Sequence, residues 1–215
     1  PPRSTLFPYT TLFRSGSTGY KASNSGWEVK SEYQGKELGY EFYKNKLSMT
    51  PQTEWTGGGK PTFAPEAGVD YQIFKHIGDV RLDDGTTKFM VSDNEKMIMM
   101  VDGSVTVGKD VEVADGGFLA VIASGDIVFE PQVATASGWY VGKIIQVKSN
   151  NSGLEDDIDF TGKGSFVGWD GISLNRDRGV LNNTVPSLKF YFRPDLKVNA
   201  PEVLKYANFK WSETA

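Results

Sequence analysis

Residues 103–129, GSVTVGKDVEVADGGFLAVIASGDIVF, contain the pattern that decides the fold. Gly103-Ser104-Val105-Thr106-Val107 and Gly125-Asp126-Ile127-Val128-Phe129 share a form in which glycine precedes a short strand with apolar side chains at alternate positions. The form recurs in looser copies at Gly142-Lys143-Ile144 and Gly171-Ile172-Ser173-Leu174. The glycines are separated by 22, 17 and 29 residues, near the period of a solenoid rung, with an insertion in the last interval. A unit of one or two short strands cannot cover its own inward side chains, so successive units must stack and bury a continuous column. Val105 and Val107, then Ile127 and Phe129, are the expected column, joined by Ile144, and Gly103, Gly125, Gly142 and Gly171 are the expected structural turns.

Composition agrees with a mostly β chain. It has 215 residues, 39% apolar and 13% aromatic, with 24 glycines and 10 prolines, which favours short strands and tight turns over long helices. The expected fold is a short β-solenoid with a small mixed α/β amino-terminal part and a carboxyl-terminal cap. A formal charge of -4 with interspersed signs offers no basic stripe for phosphates, so nucleic acid is not an expected partner. Cysteine is absent, which removes disulfides and thiolate metal sites. The longest apolar run, Phe118–Ala123, is far short of the roughly 20 residues of a membrane-spanning helix.

Thr5–Ser15, TLFPYTTLFRS, corresponds codon for codon to one reading frame of a common short-read sequencing adapter. Residues 1–15 are therefore expected to be non-biological and leave the fold argument. The true upstream sequence is then expected to be missing here and to carry a secretion signal. Residues 16–26, mainly Gly, Ser, Thr and Asn, read as a linker. Residues 27–96 form the expected amino-terminal region: a strand at Trp27 and Val29, a helix between Glu37 and Ser48, and a loop around Gly57-Gly58-Gly59 and Pro61. A hairpin joins Val80–Leu82 to Lys88–Val91 through Asp83-Asp84-Gly85-Thr86, where Asp-Gly suits a tight turn. Rungs span 97–175 and a closing strand and cap span 176–215, with Leu188, Phe190 and Phe192 alternating in the strand. Asn199 is expected to cap a turn through Pro201, Glu202 and Leu204, and the segment to Phe209 and Trp211 to cover the open end of the column.

Phe118–Ile127, Gly138–Val141, Gly164–Trp169, Arg176-Asp177, Phe192–Leu196 and Trp211–Glu213 carry a resemblance. In these segments the chain resembles a carboxyl-terminal module of uncharacterised surface or secreted proteins from candidate-phylum environmental bacteria. The resemblance implies a β-solenoid, kin to bacterial polymer-forming filament proteins, displayed at the end of larger envelope proteins, and it implies no reaction. Extracellular or cell-surface placement is the corresponding expectation, with upstream domains of the parent chain, envelope components, glycans or further copies of itself as partners.

Gly57-Gly58-Gly59-Lys60 departs from the phosphate-loop pattern at Glu54 and Pro61. His76, the single histidine, sits between Lys75 and Ile77 without a nucleophile signature. Glu155, Asp156, Asp157 and Asp159 offer hard oxygens of the kind calcium takes, but without the EF-hand's glycine and distal glutamate. They are weak metal candidates that read foremost as a solvated acidic loop within Ser149–Asp159. Asp126, Asp170, Arg176 and Asp177 are the residue types of a carbohydrate-cleaving β-helix. The plainer reading makes the two aspartates turn residues and pairs Arg176 with a carboxylate in the cap. Trp139, Tyr140 and Trp169, with Phe166, form a candidate platform for sugar rings, against a packing role that aromatics fill equally well. No catalytic residue and no cofactor is assigned. The expected function is a noncatalytic structural or display module, with a carbohydrate-binding or carbohydrate-cleaving β-helix and a filament-like subunit as alternatives.

Overall fold

The computed structural model describes residues 23–24, 27–28, 39–83, 88–150, 157–178 and 186–205. The adapter-like segment, most of the linker, Asp84–Thr86, Glu155, Asp156, Phe209 and Trp211 lie outside them. The described strands are β1 (Ser23–Asn24), β2 (Trp27–Glu28), β3 (Thr53–Glu54), β4 (Gln72–Ile77), β5 (Val80–Leu82), β6 (Lys88–Val91) and β7 (Lys96–Asp102). They continue with β8 (Val105–Val107), β9 (Asp110–Val113), β10 (Phe118–Ala123), β11 (Ile127–Phe129), β12 (Thr135–Val147), β13 (Phe160–Leu174) and β14 (Leu188–Tyr191). The helices are α1 (Tyr40–Leu47), within the expected span, and α2 (Pro194–Asn199), followed by a 3-10 turn at Glu202–Leu204.

β1 and β2 pair antiparallel with each other. All other strands form one 12-stranded parallel assembly, a β-solenoid of about five turns. Three stacks define its faces. One runs β3, β4, β7, β10 and the middle of β12 and β13. The second runs β5, β8, β11 and the carboxyl halves of β12 and β13. The third runs β6, β9, the amino-terminal parts of β12 and β13, and β14. β12 and β13 are long because each passes through all three faces without a break.

Alternation and register together make the core. Val80 faces Val105, then Ile127, Ile145 and Ile172. Leu82 similarly leads through Val107, Phe129 and Val147 to Leu174. The expected members Val105, Val107, Ile127 and Phe129 have no exposed surface. Ile144 is displaced from the column by one residue: the register shifts between Gly142 and Ile144, and Ile145 points inward. A one-residue slip exchanges faces because side chains alternate with period two.

Stacked parallel pairing also overturns the expected hairpin. β5 pairs with β8 and β6 with β9, each in parallel, so neither joins the other. Val80, Leu82, Phe89 and Val91 all bury inward on two different faces, which an antiparallel fold-back would prevent. Rungs thus begin at β3, ahead of residue 97. The glycine positions are rung corners of two kinds. Gly103 and Gly125 stack directly, Gly125 N–H donating to the Gly103 carbonyl at 2.9 Å. A β-carbon on Gly103 would lie 2.3 Å from the Gly78 carbonyl oxygen, so close approach of rungs selects glycine there. Gly142 faces Gly168 inside continuous strands, while Gly171 faces Ile144, and this offset together with the loop between Val147 and Phe160 lengthens the last interval.

The first stack is covered on its outer side as well. β10 is buried at every residue and β7 at five consecutive positions, Met97–Val101, the signature of a parallel strand with both faces covered. α1 and α2 both lie against β10. Lys46 of α1 donates to the Lys205 carbonyl, and Arg193 and Asn199 reach the turn before β10 through the carbonyls of Val113, Asp115 and Gly117. The described part of the carboxyl-terminal segment therefore covers the flank of the solenoid, and the expected cover of the open end by Phe209 and Trp211 lies outside the described residues. Asn199 serves that anchorage, and Pro201 occupies the cap position of the 3-10 turn.

Candidate functional site

The candidate residues separate into an internal polar knot, an aromatic interior and two surface grooves. The knot lies where β12 gives way to β13. Arg176, 5% exposed, donates to three backbone carbonyls: Ile158 at 3.0 Å, Glu130 at 2.9 Å and Val133 at 2.9 Å. Burial pushes its guanidinium below the usual value, against the opposing charge of Asp157. The expected carboxylate partner is thus replaced by chain carbonyls from two rungs. Asp157 is buried rather than solvated and accepts from the backbone N–H groups of Asn150 and Asp177, both at 2.7 Å. Burial raises its pKa, but those bonds, the Ser149 hydroxyl and Arg176 outweigh it and hold the carboxyl below its ordinary value. Asp159 lies between Arg178 at 2.5 Å and Lys189 at 3.1 Å. Both aspartates are occupied in tying an inserted loop to the last rungs, and no metal-holding cluster occurs among the described residues.

The aromatic set is divided by strand alternation. Tyr140 lies wholly inside, stacked on Phe166 with centroids 5.1 Å apart and donating its hydroxyl to the Ser137 carbonyl at 3.0 Å. Burial pushes that phenol far above its usual value. Trp139, its sequence neighbour, points to the outer side and meets Phe118 edge-on. Trp169 packs near Gly39, whose β-carbon position is 3.3 Å from the indole. These rings form no common platform.

Asp126 accepts from Gln146 at 2.9 Å and Asp170 pairs loosely with Lys143 at 3.8 Å. His76 meets the Trp55 carbonyl through Nδ1 at 2.8 Å and the Trp55 ring edge-on. Lys60, beside the triple glycine, pairs with Glu95 at 2.5 Å. Among the described residues, Asp126, Asp170, His76 and Lys60 thus each have a neighbour in the scaffold.

Two open grooves lie among the described residues, and the sequence reading missed both. One of about 510 Å3 lies between α1 and β4, lined by Tyr40, Lys44, Gln52, Lys75, Met100 and Asp102. Burial, then Asp102 and Glu41, push the Tyr40 phenol up to about 12. The other, about 530 Å3, is lined by Met90, Asp93, Glu112, Ser137, Lys163 and Arg193. Arg193 is committed to Asp195 and the Val113 carbonyl, while exposed Tyr191 faces Lys163 in the ladder. No sequence motif marks these grooves, because their residues come from separate rungs.

No known protein family, curated protein or solved structure matches this chain. What the geometry establishes is a parallel β-solenoid whose polar residues hold rungs and loop together.

Proposed function

We propose that this chain is a noncatalytic structural or display module of a bacterial cell-envelope or secreted protein, acting outside the cell or at its surface. The observation that carries the reading is the employment of Arg176 and Asp157. Their charges are spent on carbonyls and backbone N–H groups of successive rungs, which suits a rigid spacer. Inter-rung pairs act in the same sense: Arg81 reaches across Gly108 to grip Glu130 with two bonds of 2.7 and 2.6 Å. Its partners on this reading are upstream domains of its own parent chain and components of the envelope. Recovery of the complete upstream reading frame tests the proposal. The expected result is an export signal ahead of the solenoid, and a frame starting near Gly16 without one would remove the surface assignment.

A second reading, carbohydrate binding, is favoured by the groove that joins Lys163, Glu112 and Asp93, with Tyr191 close by. A glycan array and a reducing-sugar assay, both blank, would dismiss it.

A further inference from the structure

The columns of the solenoid end differently at their two ends. At the amino-proximal end, the first members Val80, Leu82 and Phe89 of two stacks are buried, and in the other Phe74 is buried beneath the exposed Thr53 of β3. The loop after β3 lies against Val80 and Leu82: a β-carbon on Gly57 would sit 2.8 Å from Val80 Cγ2, and Gly58 bridges to Leu82. Trp55 is buried, and Phe63 and Tyr71 pack against the same core. At the carboxyl-proximal end the last members are open. Ile172 and Leu174 are each 43% exposed and Phe190 is 44% exposed, whereas Ile145, Val147 and Ala136, one or two rungs earlier in the same columns, have no exposed surface.

The strand edge at this end is open too. β14 pairs with β13 only along Phe160–Lys163, and among the described residues no strand pairs with the far side of Phe166–Leu174. That segment carries a single charged side chain, Asp170, so it lacks the lysines and prolines that ordinarily guard a free edge.

We propose that this end is the docking surface for a second copy of the chain, joined carboxyl end to carboxyl end about a twofold axis. The identical free edges then run antiparallel and the open columns face one another. The area is sufficient. Ile172, Leu174 and Phe190 offer about 250 Å2 of apolar surface and half-buried Leu188 and Phe166 about 80 Å2 more, judged from ordinary side-chain areas. At the roughly 65% apolar share of a homodimer interface, this implies about 500 Å2 per copy. The total is roughly 1,000 Å2, the lower bound for a specific contact, so the dimer is weak. Among the described residues, the column ends Val80, Leu82 and Phe89 at the other end are buried, so a head-to-tail contact would set the open columns against a covered end, whereas a twofold pair matches them to each other. The product is a closed pair.

Sedimentation velocity on the full chain, from roughly 5 μM to roughly 1 mM, reads this directly and should give a monomer–dimer equilibrium with a dissociation constant in the micromolar range or weaker. Replacing both exposed members, Ile172→Lys with Leu174→Lys, should weaken the dimer at least tenfold and leave the circular-dichroism spectrum unchanged. The natural chain has no cysteine, so Ser173→Cys supplies a second readout that leaves the core intact. Mild oxidation should give a covalent dimer from Ser173→Cys and none from Thr106→Cys, which lies on the same face in a middle rung. Monomer at every concentration without cross-linking, species that keep growing beyond dimer, or a dimer indifferent to the two lysines would each overturn the proposal.

Discussion

Truncating Phe129 should cost far more than truncating Leu174, although both belong to one column. Phe129 has no exposed surface and sits between Val107 and Val147. Its ring lies 5.1 Å from Tyr140, 5.2 Å from Phe160 and 5.9 Å from Phe166. Phe129→Ala leaves a cavity walled by neighbouring rungs, at a cost of about 3–5 kcal/mol. Leu174 is already open on one side, so Leu174→Ala forfeits roughly half the burial of a core leucine, about 1–2 kcal/mol. Urea unfolding at submicromolar concentration, below the expected dimer dissociation constant, separates the two. With a slope of roughly 2–3 kcal/mol per molar, the midpoint should fall by about 1.5 M for Phe129→Ala and about 0.5 M for Leu174→Ala. Equal shifts, or a larger one for Leu174, would refute the claim that the column is sealed in the middle and open at its carboxyl end.

Gly103→Ala should destabilise by about 2 kcal/mol or more, since the new methyl meets a backbone carbonyl that cannot move aside. Gly116→Ala, whose nearest contact is 3.4 Å, should stay within about 0.5 kcal/mol, and thermal melts of the pair compare them. Arg176→Met should cost about 2–4 kcal/mol in the same assay by stranding carbonyls of Ile158, Glu130 and Val133; an unchanged melt would deny the knot its role. Asp157 has a depressed folded pKa, so its contribution is present above the unfolded carboxylate value near 3.9 and is lost as pH falls through the folded value. Stability followed from about pH 6 to about pH 2 should therefore decline less steeply in Asp157→Asn than in the native chain, and parallel curves would contradict that assignment.

The column was legible because Val105, Val107, Ile127 and Phe129 lie in uninterrupted short strands whose alternation maps directly onto inside and outside. The reading slipped by one residue at Ile144, where the bulge after Gly142 shifts parity, an event with no local sequence signal. Asp-Gly after Leu82 suggested a hairpin because turn chemistry is local, whereas the partners of β5 and β6 lie a full rung away. The solid apolar runs Met97–Val101 and Phe118–Ala123 carried an unused signal: strands buried on both sides require an outer cover, which α1 and α2 supply. Trp139 and Tyr140 could not share a platform once they sat adjacent in a strand. The sequence pairs Arg176 with a carboxylate and places Asp157 in a solvated loop because nothing in the spacing reveals that backbone groups of separate rungs converge on them.

Thiol labelling tests the stacked interior most directly, since the chain has no cysteine of its own. Single cysteines at Val105, Ile127 and Ile145 should resist modification until the protein unfolds, while those at Thr106, Val128 and Gln146 react in the folded state. Rapid labelling at any of the first three positions in the native protein would contradict the solenoid core.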